Sequence, residues 1–331
     1  MARISIIGLG LIGTSMGLGL KKANLKDVEI VGHDREPEAA SKARKRGALD
    51  KVEWNLFKTI EGASIVILAI PVQAVKEVLT TIGPALPINC LVTDTASTKA
   101  MVMQWAGEIL PETVNFVGGH PMAGKEASGP EAADADLFRG STYCVVPSPR
   151  ASREAVQTVM SIADLLGAKP FFVDAVEHDG FVAAISHLPI VLSSALVSST
   201  MGSASWREMG RLASSGFRDV SRLASGDPVM HRDICVTNRE SILRWIDIYI
   251  EELKRYKELI TGDEKALEGE YARVRDARDR WIYRPKDADY EGYMPEIPSA
   301  RESLTSMFLG RRFARLDSPS KDDKGHGKSK K

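Results

Sequence analysis

Residues 3–34 constrain the fold of this chain more than any other stretch. An apolar strand pattern over residues 3–7 runs into GLGLIG, which places Gly8, Gly10 and Gly13 in the GxGxxG spacing. A helix pattern of small and apolar residues continues to Lys22. A second strand pattern over residues 28–31 then ends in Gly32, His33, Asp34 and Arg35. The three glycines serve different ends. Gly8 permits the tight turn, Gly10 lets a pyrophosphate reach the backbone, and Gly13 lets helix pack on strand. The helix N-terminus offers free N–H groups and a positive dipole end to the phosphates. Asp34 stands about twenty residues beyond the last motif glycine, where a dinucleotide fold places the acid for the adenine ribose. It repels a 2′-phosphate and so favours NAD. Arg35 beside it is able to accommodate that phosphate, so NADP stays open. The expected cofactor contacts are Gly8, Leu9, Gly10, Leu11, Ile12 and Gly13, with Asp34, Arg35 and the strand-end pair Ile70 and Pro71.

The alternation continues beyond the motif. Residues 37–47 form a helix pattern with Pro at its start and Gly at its end. Strand patterns recur over residues 64–70, 91–93, 115–117, 142–146 and 171–173, with helix patterns from residue 72 and over 152–166. Strands alternating with helices predict an α/β fold with a doubly wound parallel sheet. The glycine loop, Asp34, Ile70, Ser97 and His120 all follow strand ends, so one rim of the sheet should gather them. From Val176 helix patterns take over. Over residues 243–260, Leu243, Ile246, Ile250, Leu253 and Tyr256 make an apolar stripe. The expected division is a dinucleotide-binding domain at 1–174, a helical domain at 175–283, and an irregular extension with a disordered tail at 284–331. In that extension, residues 308–316 (FLGRRFARL) read as a solvated surface helix, the alternative being a short basic amphipathic segment that binds a partner.

Charge excludes some function classes. With 44 Lys and Arg against 44 Asp and Glu, no global field attracts nucleic acid or an anionic membrane. Cys90, Cys144 and Cys235 are far apart and form neither a CxxC pair nor a zinc spacing. The apolar run over residues 185–197 is broken by Ser, His and Pro and reads as too short to span a bilayer. The expectation is a cytoplasmic protein without a metal.

The chemistry-bearing residues come in groups. Residues 117–129 (VGGHPMAGKEASG) hold His120 in a glycine-rich loop, placed for proton chemistry near neutral pH. Glu126 and Lys125 lie farther along, expected at a pocket mouth. Glu177, His178 and Asp179 open a helix pattern that continues to Ser186, His187, Leu188 and Pro189. At 100° per residue, His178 and His187 point to nearly opposite sides, so Ser186 and His187 are assigned to the site and His178 to a cap or the surface. Arg218 and Arg222 fall one helical turn apart. Two guanidiniums on one face call for an anion between them, either Asp219 and neighbouring surface acids or a ligand with carboxylates. Ser225, Gly226, Asp227 and Pro228 read as a helix-initiating turn.

Taken together, GLGLIGTS, DTASTK (94–99), GGHPMAG, EHD followed by SHLP, and GFRDVSR followed by SGDP resemble the prephenate/arogenate dehydrogenase family. The resemblance runs in order from about residue 3 to about residue 260. It implies a Rossmann domain joined to an all-α dimerisation domain, hence a homodimer, and NAD(P)-dependent oxidative decarboxylation of prephenate or arogenate in tyrosine biosynthesis. By the same resemblance His120 is the catalytic histidine on the ring 4-hydroxyl, and Ser97 lies near that hydroxyl and the nicotinamide. Arg222 holds the ring carboxylate, and Arg218 reaches the substrate side chain from the other subunit. Two departures stand out: Ile190 where many members carry His, and His231 where many carry Trp. Both bear on the choice between prephenate and arogenate. A 3-hydroxyacid dehydrogenase would need a lysine within residues 193–205, which has none. The remaining alternative is a non-catalytic NAD-sensing module.

Overall fold

The computed structural model describes residues 2–283. The tail and the 308–316 segment lie outside the described residues. The glycine motif begins where expected: β1 (Ala2–Ile7) leads into α1 (Leu11–Lys22), β2 (Val28–His33) and α2 (Pro37–Lys45). There follow β3 (Lys51–Val52), α3 (Leu56–Ile60), β4 (Ile65–Leu68), α4 (Val72–Ile82), β5 (Leu91–Asp94) and α5 (Ala100–Ile109). The sheet is completed by β6 (Asn115–Pro121), β7 (Thr142–Pro147), α6 (Arg153–Leu165) and β8 (Lys169–Phe172). Its strand order is β3-β2-β1-β4-β5-β6-β7-β8.

The sheet is mostly parallel, with one reversal that the strand pattern does not announce. β7 runs antiparallel to β6, with His120 opposite Cys144, and β8 is parallel to β7. Period-two alternation fills both faces. Ile4, Ile6, Ile65, Ile67 and Val117 pack with Met16 and Leu20 of α1 and Val159 and Ile162 of α6. Ile7, Val66, Leu68, Val92 and Phe116 pack with Val75 and Leu79 of α4 and Val102 and Trp105 of α5. Each such side chain contributes about 1.5–3 kcal/mol of burial.

The second domain is helical: α7 (Ala175–Val182), one π turn (Ala183–His187), α8 (Leu188–Met201), α9 (Trp206–Leu212), α10 (Ser215–Ser221), α11 (Pro228–Thr237), α12 (Arg239–Thr261) and α13 (Glu264–Tyr283). The run from Ala175 to Met201 is therefore one continuous 27-residue helical segment, long and apolar enough by composition to cross a membrane. That corrects the expectation of a short, broken stretch. Buried His178, Asp179 and His187 lie along it, tied by hydrogen bonds to other parts of the chain. The two domains are joined at Asp179, whose carboxylate accepts the backbone N–H groups of Lys99 (2.7 Å) and Ala100 (2.9 Å) and so caps α5. Thr98 and Thr237 share a hydrogen bond of 2.9 Å beside it.

Candidate active site

The glycine loop has the form a dinucleotide requires. Gly8 has φ +93°, and a Cβ there would stand 2.3 Å from the Ala69 carbonyl oxygen. A Cβ on Gly13 would stand 1.9 Å from the Gly8 oxygen, whereas Gly10 faces open space. No side chain caps α1, so its first N–H groups remain available to phosphate oxygens. Asp34 accepts from Leu9 N (2.6 Å) and Glu36 N (2.8 Å), which fixes its carboxylate against the loop. Arg35 points away, 87% exposed and 3.7 Å from Glu36. Past the end of β4, Ala69 and Ile70 lie against Gly8, and Pro71 follows them.

His120 lies within β6 and not in a loop, which corrects the expectation from its glycine-rich surroundings. Gly118 and Gly119 serve close packing beneath it. A Cβ on Gly119 would stand 2.6 Å from both the Asp94 oxygen and the Tyr143 hydroxyl, and one on Gly118 would stand 2.9 Å from Met103 Sδ. The strand is anchored by a buried ion pair. Lys99 Nζ bonds Asp94 and also donates to the Gly119 carbonyl (2.9 Å). Asp94 in turn accepts from Gly119 N (3.2 Å) and Ala96 N (2.9 Å). Ser97 sits half-buried in this turn, between the backbone held by Asp94 and that held through Thr98.

The centre of the site is a chain of three side chains. His120 Nδ1 lies 2.9 Å from His178 Nε2, and His178 Nδ1 lies 2.8 Å from Asp179 Oδ1. His178 is thus buried at the site, not a cap or a surface residue. The reason is the π turn. A π turn inserts one residue, which sets the following helix back by about 100°. Pro189 lacks the N–H that would otherwise return to the Ile185 carbonyl, so the turn before it widens. His178 and His187 then face neighbouring sides. Asn238 Nδ2 donates to His187 Nδ1 (3.1 Å) and to the Asp179 carbonyl (2.7 Å). His187 Nε2 therefore carries the hydrogen, and it is buried without a partner among the described residues. Ser186 is half-buried on the π turn.

The surroundings disfavour the charged forms of His120 and His187. Burial first, then His178, Lys99 and His187, hold the His120 pKa well below its ordinary value. Burial also pulls His187 down to about 4. Farther out, Arg222 pairs with Glu126, the two side chains being 52% and 64% exposed. Glu126 thus supplies an anion to Arg222. Arg218, four residues before Arg222, is exposed. Lys125 turns to Asp134 (3.1 Å). Asp227 caps α11 through Met230 N, as its turn motif suggested.

Comparison with known proteins matches this arrangement to two family models: the prephenate dehydrogenase nucleotide-binding domain over residues 16–171, and the prephenate dehydrogenase dimerization domain over residues 174–272. The chain is 33% identical to prephenate dehydrogenase of Bacillus subtilis, covering 94% of this chain and 86% of that one. It is 39% identical to prephenate dehydrogenase of Lactococcus lactis, covering 81% and 74%. Its structure resembles Aquifex aeolicus prephenate dehydrogenase in complex with hydroxyphenyl propionate and NAD+, with TM-score 0.78 and 27% identity over 85% of this chain and 98% of that one. Synechocystis arogenate dehydrogenase gives TM-score 0.72 and 29% identity over 84% and 99%.

Proposed function

The chain belongs to the prephenate dehydrogenase family, and we propose that His120 is the base in the NAD-dependent oxidative decarboxylation of prephenate that it catalyses. One observation carries this reading: the bonds of His178 leave Nε2 of His120 with a lone pair. Asp179 is an acceptor, so His178 Nδ1 bears a hydrogen and its Nε2 accepts from His120 Nδ1. The remaining nitrogen of His120 is then free to take the 4-hydroxyl proton.

NAD+ supplies the acceptor for hydride from the ring carbon bearing that hydroxyl. Gly8 to Gly13, Asp34, Ile70 and Pro71 would hold it, as their fit to a dinucleotide indicates. Ser97 orients the hydroxyl beside His120. Arg222 releases Glu126 and takes the ring carboxylate, while Ser186 and the free Nε2–H of His187 bind substrate oxygens. Withdrawal of hydride leaves a carbonyl across the ring from the carboxylate. Loss of CO2 then sends its electron pair through the ring to that oxygen, giving an aromatic phenolate that takes a proton back, and aromatisation makes the step irreversible.

The proposed assembly is a cytoplasmic homodimer through the helical domain, with residues 1–174 and 175–283 as its two folded units. Leu243, Ile250, Leu253 and Ile260 of α12 lie exposed in the protomer, as an apolar face awaiting a second copy would. Arg218 is proposed to reach the partner's substrate. A second reading, arogenate oxidation, draws on Ile190, half-buried beside the site where many relatives carry histidine. NAD+ reduction by purified protein tests the first reading. His120→Asn should lower kcat roughly 10²- to 10⁴-fold with NAD+ affinity kept, and near-normal turnover by that variant rejects the assignment. The ratio of kcat/KM for prephenate and arogenate separates the two substrates.

A further inference from the structure

We infer that His178 and Asp179 form a proton relay behind His120, so that the 4-hydroxyl proton taken up at Nε2 is matched by transfer of the Nδ1 proton to His178. The inference rests on the reading of His120 as the base.

In the resting chain each bond has one donor and one acceptor. Asp179 accepts from His178 Nδ1, and His178 Nε2 accepts from His120 Nδ1. When Nε2 of His120 gains a proton, its Nδ1 proton moves 2.9 Å to the lone pair of His178 Nε2. His120 ends neutral, with hydrogen on Nε2. His178 ends as an imidazolium against the Asp179 carboxylate. One proton enters the chain and one positive charge results, at its far end.

The surroundings explain why that end is preferred. A cation kept on His120 would be buried beside Lys99, with His178 and His187 close by, and burial and these three groups are what hold its pKa down. Asp94 offsets the charge of Lys99 but is fully committed to it and to the Gly119 and Ala96 N–H groups. From β7, Tyr143 and Cys144 face the same strand, and burial raises both, Cys144 to about 11, so neither supplies a negative charge. Asp179 is the carboxylate at the end of the chain. Its other contacts, Lys99 N on Oδ1 and Ala100 N on Oδ2, seat it at the N-terminus of α5, where Oδ1 also faces His178 Nδ1. On the other side His178 borders a cavity of about 270 Å³ lined chiefly by Met122, Phe171, Phe181 and Ile185, which offers no competing charge.

The role of His178 is positional: it acts through His120 and does not touch substrate. Single-turnover NADH formation in H2O–D2O mixtures tests it. The wild-type rate should fall along a bowed curve as deuterium rises, because two protons move in the same step. His178→Gln, which can still accept from His120 Nδ1 but takes no proton, should lower the rate roughly 10²-fold and give a straight line, with NAD+ affinity kept. A straight line for the wild-type enzyme overturns the relay, as does a His178→Gln rate within about threefold of wild type. The wild-type curve decides the matter even if the variant misfolds. If His120→Asn is inactive while the wild-type line is straight, the relay alone fails. If His120→Asn turns over normally, the base assignment fails with it.

Discussion

Arg222 and Glu126 join the two domains by an ion pair between the turn after α10 and the loop after β6. Both side chains are more than half exposed, so the pair itself is worth about 0–1 kcal/mol. A ligand carboxylate that replaced Glu126, as proposed, would find the guanidinium placed at little cost. Arg222→Ala should remove a charge-assisted contact of about 1.5–3 kcal/mol, a rise in prephenate KM of roughly 10- to 100-fold with a smaller change in kcat. Steady-state kinetics check this, and an unchanged KM rejects Arg222 as the carboxylate ligand.

Lys99 and Asp94 are fully buried under the strand that carries His120. Lys99→Met leaves an uncompensated carboxylate in the core and frees the Gly119 carbonyl. The expected loss is about 3–5 kcal/mol of folding stability, read from urea unfolding. A loss confined to activity, with the unfolding midpoint unmoved, would contradict the anchoring role.

Activity should persist into mildly acidic solution. As the proposed base, His120 must be neutral to accept a proton, and its pKa is held well below 6.5 by burial, then by His178, Lys99 and His187. Lowering pH protonates the base only below that depressed value, so the acid limb of kcat/KM falls below 6.5. A limb at or above the ordinary histidine value would show that His120 is not in the environment described.

Asp34, held against the glycine loop while Arg35 is exposed, is the residue proposed to set the cofactor choice. NAD+ should exceed NADP+ in kcat/KM. Asp34→Asn keeps an oxygen for the Leu9 N–H but removes the charge that repels a 2′-phosphate, so the gap between cofactors should narrow. Equal use of both cofactors by the unaltered enzyme refutes the assignment.

The glycine half of the molecule is legible in the sequence because its constraints are local. A turn that leaves no room for a Cβ at Gly8 or Gly13 announces itself in four or five residues. His120 is found through its neighbours in the motif, though the glycines before it admit Lys99 and Tyr143 and not a ligand. His178 and Asp179 escape a reading that carries helix phase at a constant 100° through residues 183–187. Two signals point to them. Pro189 deprives a carbonyl of its partner one turn earlier, and Lys99, the residue at the start of α5, has no side-chain oxygen with which to cap that helix. Something acidic from elsewhere has to do so. The reversal of β7 has no such marker, since an antiparallel strand buried in a sheet has the same apolar texture as a parallel one.

The π turn at Ala183–His187 has a consequence for what this sequence can tolerate. It is an extra residue held in a helix that would be regularly α-helical without it. Deleting one residue there would relieve the wide turn and leave a sound α-helix, with its apolar character and length nearly intact. Yet everything before it would rotate by about 100° relative to α8, taking His178 from His120 and Asp179 from the end of α5. The segment is therefore more forgiving of a changed letter than of a changed count. Its function is written in the spacing between His178 and Pro189 as much as in the residues themselves.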